Sequence, residues 1–152
     1  YEREIEEFCS EIKISTEACP MWVPLVENRE YDKQGADYFV KQHIDRVLDK
    51  DKEIDTIILG CTHYPLLLKK IKHFTPESIK LISQGEYVAK SLKDYLSRHQ
   101  ILELLCSKNE TRTYCTTDST ERFESLASFF LNEEITANKI ILKADEWAGL
   151  IL

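Results

Sequence analysis

Gly60-Cys61-Thr62-His63 sets a thiol, a hydroxyl and an imidazole in consecutive positions behind an apolar, β-prone run, Ile54 to Leu59. A thiol whose pKa of about 8.5 is easily lowered can act as a base near neutrality. An imidazole two residues on can hold that proton or hydrogen-bond the sulfur. Pro65 follows and opens a predicted helix, since its missing N–H costs nothing in a first turn and its φ is already helical. A strand that stops at Gly60 and turns into a helix places these side chains at the carboxyl edge of a sheet, beside a helix N-terminus. That position favours a thiolate at Cys61. The chemistry this suggests is proton abstraction or nucleophilic attack by Cys61.

Other residues offer weaker signals. Glu27 closes the stretch Ala18-Cys19-Pro20-Met21-Trp22-Val23-Pro24-Leu25-Val26-Glu27 and is a candidate third group that orients an imidazole. Taken alone, a Glu after Pro-Leu-Val is an ordinary surface charge. Thr62 reads equally as a hydrogen-bond donor to a substrate or as the N-cap of the helix behind it. Cys9, Cys19, Cys106 and Cys115 read as small core hydrophobes. His43, His73 and His99 fall within or near helices as structural or exposed residues. Cys61, His63 and Glu27 make a poor zinc set, because no fourth ligand stands at a fitting spacing.

Two strings together resemble a family. GCTHYPLL, at 60–67, is similar to the second signature of the glutamate racemases, and residues 18–27 are similar to their A-C-P-x-x-V-P-L-V-E motif. Aspartate racemases share the Gly-Cys-Thr core but usually lack the His-Tyr pair, so His63-Tyr64 favours the glutamate branch. The resemblance runs from about residue 10 to about residue 143. It implies a cofactor-independent exchange of the α-proton of glutamate between two thiols, supplying D-glutamate for peptidoglycan. Cys61 would be one of the two bases, with His63 supporting it, Glu27 positioning His63, and Thr62 with His63 binding substrate. No cofactor is implied. The family's other catalytic turn, an A-C-N-T-like string, and its D-S-G-x-G-G-like turn do not occur here. The expectation is therefore a C-terminal part of a longer racemase, inactive alone. The alternatives are an amino-acid-binding or regulatory domain without catalysis, a relative acting on aspartate, or a thiol hydrolase using Cys61 and His63.

Composition bounds these readings. The chain has 152 residues, 43% hydrophobic and 31% charged, as in ordinary globular domains. A net charge of −7 argues against nucleic acid, which wants a basic face. No apolar run approaches the roughly 18 residues of a membrane span. Five cysteines without any C-x-x-C fit a reduced, cytoplasmic protein.

Hydrophobic spacing supplies the scaffold. Helices are expected at Glu2–Ser10, Ala36–Asp49, Pro65–Phe74, from Gln84 towards Cys106, and up to Leu131 from a cap at Asp118 or Ser119. Strands are expected at Ile12–Ser15, Ile54–Leu59 (buried on both faces), Ile79–Ile82, Arg112–Thr117 and Lys139–Leu142, with a loop at Lys108-Asn109-Glu110. Strands alternating with helices predict an α/β fold with a mostly parallel sheet. Glutamate racemases fold as two such domains between which the chain crosses twice. By that resemblance, residues 1–82 belong to the second domain and 83–152 return to complete the first. A chain holding parts of both would leave open edges and bare apolar faces, so it should form a homodimer or associate with the missing N-terminal half.

Overall fold

The computed structural model describes residues 1–108 and 111–142. Asn109 and Glu110 of the expected loop lie outside the described residues. The chain divides into two compact units, Tyr1–Arg98 and His99–Leu152.

In the first unit, helices α1 (Glu2–Phe8), α2 (Trp22–Glu27) and α3 (Gln34–Lys50) precede strand β1 (Thr56–Leu59). A single 3₁₀ turn, Tyr64–Leu67, leads into α4 (Leu68–Phe74), then β2 (Lys80–Ser83) and α5 (Gln84–Arg98). β1 and β2 pair in parallel, Thr56 facing Lys80 and Leu59 facing Ser83, with α4 as the crossover. The helical spacing in α3 is realised in part: Val40, His43 and Ile44 are buried together with Ala36, while Phe39, Val47 and Leu48 stay half-buried. The buried ones join Trp22, Val26, Leu67 and Ile71 in one core.

Local chemistry sets the ends of α2. Arg29 takes a left-handed φ of 59°. The Arg29 amide donates to Val26 and the Glu30 amide to Leu25, which is the bonding pattern of a Schellman cap. Glu27 thus sits in the last turn of a firmly ended helix.

Three expectations fail in this unit. Ile12–Ser15 forms no strand and Ile12 is exposed, because no neighbouring segment offers it a ladder. β1 is buried only at Leu59, with Ile58 43% exposed, since the sheet has two strands among the described residues. The helix expected from Pro65 begins one residue earlier as 3₁₀, with the Tyr64 amide donating to Cys61 and the Leu66 amide to His63.

The second unit holds α6 (Gln100–Leu105), β3 (Tyr114–Thr116), α7 (Thr120–Leu131) and β4 (Ala137–Lys139). The helix expected from Gln84, continuing or re-forming through Ile101–Leu105, does re-form: α5 ends at Arg98 and α6 starts at Gln100 beyond His99 (φ −119°, ψ 67°). Ser119 caps α7, its Oγ accepting from the Arg122 amide. β3 and β4 are parallel, Tyr114 opposite Ala137. The last strand lies at Ala137–Lys139 and not Lys139–Leu142, because side chains of α7 seize its entry. The Ile135 amide donates to Ser128 Oγ and the Ala137 amide to Glu124 Oε1. Ile141 is left 79% exposed. The fold is α/β with short parallel sheets flanked by helices. No helix among the described residues is long and apolar enough to cross a membrane.

Candidate active site

Cys61, Thr62 and His63 occupy the turn between β1 and the 3₁₀ segment, and α2 delivers Glu27 to the same place. Cys61 Sγ lies 3.8 Å from His63 Nδ1. On the other side of that ring, His63 Nε2 lies 3.6 Å from Glu27 Oε1. Thiol, imidazole and carboxylate therefore stand in a line, although Glu27 is distant in sequence. His63 and Glu27 side chains remain 34% and 41% exposed, so their attraction adds little stability. Its consequence is orientational: a ring contacted at both nitrogens has its rotation restricted.

A 3₁₀ turn separates the site from α4, so the α-helical dipole expected to favour a thiolate at Cys61 begins only at Leu68. The sulfur has the His63 imidazole as a polar partner. Thr62 is exposed and does not cap the turn; His63 holds the N-cap position, with no side-chain cap bond.

Tyr64 packs beneath the turn. Its ring meets Trp22 edge to face at 4.8 Å. Burial, helped by the neighbouring Cys19 and Cys61, pushes its hydroxyl up to about 12. Cys19 is half-buried against it, and burial, then the charge of Glu17, lifts its thiol to about 11. At neutral pH Cys19 is a protonated packing residue, unlike a base. The core assignment of the remaining cysteines is wrong: Cys9, Cys106 and Cys115 are exposed. Each lies at a helix end or on a short edge, where no second layer covers it.

His43 is structural, 4% exposed, its Nδ1–H donating to Glu17 Oε1 at 2.9 Å. His73 on α4 and His99 between α5 and α6 are exposed. Glu17 carries no signal in the sequence beyond standing just ahead of the Ala18–Glu27 motif, and periodicity misses it because its partners come from α3. Lys50 Nζ reaches its other oxygen at 2.7 Å. Lys50, then His43, hold its carboxyl below the usual range. Among the described residues no group of three or more His, Cys, Asp or Glu is arranged to hold a metal ion.

No family model matches the chain. It is similar to a glutamate racemase of Streptococcus thermophilus, 31% identical over 142 residues, which are 93% of this chain and 51% of the relative. The chain thus spans about half the length of the curated relatives it matches. Its structure resembles that of a glutamate racemase isoform from Bacillus anthracis, with a TM-score of 0.80 and 35% identity, covering 93% of this chain and 52% of that one. It also resembles a Francisella tularensis glutamate racemase solved with D-glutamate, with a TM-score of 0.77, 25% identity and the same coverage.

Proposed function

We infer that this chain, a relative of the glutamate racemases in sequence and fold, is part of such an enzyme and supplies one of its two bases. The intact protein would interconvert L- and D-glutamate without a cofactor. Cys61, as thiolate, takes the α-proton from one face of the substrate and becomes a thiol. The C–H electron pair stays on the α-carbon. A second acid, held outside this chain, returns a proton to the opposite face. Run backwards, Cys61 is the donor. His63 relays the proton of Cys61, and Glu27 fixes the ring that does so. Thr62 and His63 hold the substrate's polar groups.

The observation that carries this reading is the line Cys61–His63–Glu27, with contacts of 3.8 and 3.6 Å, in a chain similar to racemases. The D-glutamate bound in the Francisella relative supports an amino-acid substrate. In the same reading, residues 1–82 serve the second domain of the intact fold and 83–152 complete the first. Val88 and Leu92, exposed on α5, support association with the rest of the enzyme or with a second copy. A role in peptidoglycan supply, in the cytoplasm, follows from the reaction.

The test compares the full natural gene product with this chain by circular dichroism on each glutamate enantiomer. We expect interconversion by the full product, none by Cys61→Ser, and none by this chain alone. A hydroxyl is too weak a base to replace the thiol near neutrality. Activity in the Cys61→Ser protein would refute the assignment.

A further inference from the structure

We propose that Glu17 is a positioning residue for the Cys61–His63–Glu27 line, an inference that rests on the reading of that line as half of a racemase site. Glu17 lies in the irregular segment ahead of α2, and its side chain is only 12% exposed. A carboxylate so placed must be compensated. Here one face of α3 does so: His43 at 2.9 Å, Lys50 at 2.7 Å and the Arg46 guanidinium at 3.9 Å. Lys50 also donates to the Thr16 carbonyl. A second anchor sits just downstream, where Trp22 Nε1 donates to the Phe39 carbonyl of α3 at 3.3 Å. The start of α2 is thereby fixed to α3 at two points.

Two routes lead from Glu17 to the turn. Its carbonyl accepts from Cys19 Sγ at 3.7 Å, and Cys19 lies beside the Tyr64 hydroxyl. His43 meets Trp22 edge-on at 6.1 Å, and Trp22 meets Tyr64 at 4.8 Å. Tyr64 is the neighbour of His63, and α2 ends in Glu27, which contacts His63. One anchored carboxylate thus fixes both the turn that carries the thiol and the helix that carries the orienting acid. An ion cluster around a largely buried carboxylate is a weak source of net stability, and one use for it is to select a single geometry. An apolar residue at 17 could fill the space without setting the register of α2 on α3.

The test measures α-proton exchange into D₂O for L- and D-glutamate separately, in the intact racemase and its Glu17→Gln and Lys50→Met variants. Misplacement by a fraction of an ångström slows proton transfer more than binding. For the enantiomer whose proton goes to Cys61, we expect kcat for exchange to fall about three- to tenfold in Glu17→Gln, with KM little changed. The opposite enantiomer should lose about twofold at most. Lys50→Met removes a half-exposed partner without opening the core, should show the same asymmetry at smaller size, and carries the test if Glu17→Gln does not fold. Equal losses for both enantiomers, a change in KM alone, or no change overturn the positioning role. Cys61→Ser run alongside separates the two readings. For the enantiomer whose proton goes to Cys61, lost exchange there with symmetric effects at Glu17 removes only this proposal, and retained exchange removes both.

Discussion

His63 stands between two partners and is closer to neither than a loose hydrogen bond: Glu27 Oε1 is 3.6 Å from Nε2 and Cys61 Sγ 3.8 Å from Nδ1. The thiol meets the imidazole at Nδ1, and the carboxylate meets it at Nε2.

That order makes the two supports unequal. In the intact enzyme, His63→Asn should slow the direction in which Cys61 takes the α-proton more than the reverse. Glu27→Gln should give the same asymmetry at smaller size, because it acts through His63. Initial rates from each enantiomer decide the matter. Equal losses in both directions, or a greater effect at Glu27, would show these roles to be misassigned.

Thiol exposure gives a second prediction. Cys9, Cys106 and Cys115 are exposed, while burial raises Cys19 to about 11. Since only the thiolate reacts, Cys19 should alkylate at pH 8 about tenfold or more slowly than those three. Peptide mapping after a timed iodoacetamide pulse reads this, and fast labelling of Cys19 would contradict its packing against Tyr64.

Glu17 predicts a pH dependence of stability. Its carboxyl lies below the ordinary 4.5 because Lys50, then His43, bond to the charged form. A lowered native pKa gives stability that is fully present above pH 4.5 and lost as the pH falls through the native value. Glu17→Gln should therefore cost about 1–3 kcal/mol at pH 7 and flatten the acid limb below pH 4.5. Urea midpoints at pH 7 and pH 3 test it; parallel losses at both would contradict the linkage.

Asn132 ends α7 in a left-handed conformation, φ 52° and ψ 38°. Asn132→Val should destabilise by about 1–2 kcal/mol, and Asn132→Gly should be neutral or better. Thermal melts of the three proteins suffice, and equal melting temperatures for the Val and Gly variants would argue against backbone strain there.

The sequence by itself determined Val40, His43 and Ile44 as an inward face of α3, a cap for α7 at Asp118 or Ser119, and the adjacency of Cys61 to His63. Each depends on residues within one turn, one strand or one helix face, where spacing is the geometry. Tertiary structure alone decided the rest. Glu17 gains its meaning from His43 and Lys50, 26 positions and more away along the chain, which no local period reports. Glu27 reaches His63 because a Schellman cap at Arg29 and the rivets on α3 fix where α2 ends. Ile12–Ser15 and Ile58 were apolar enough for a buried strand, yet a strand exists only if a neighbour pairs with it and a layer covers it. The exposed cysteines follow the same rule. Residue type states what a side chain prefers, and the packing around it decides whether that preference is met.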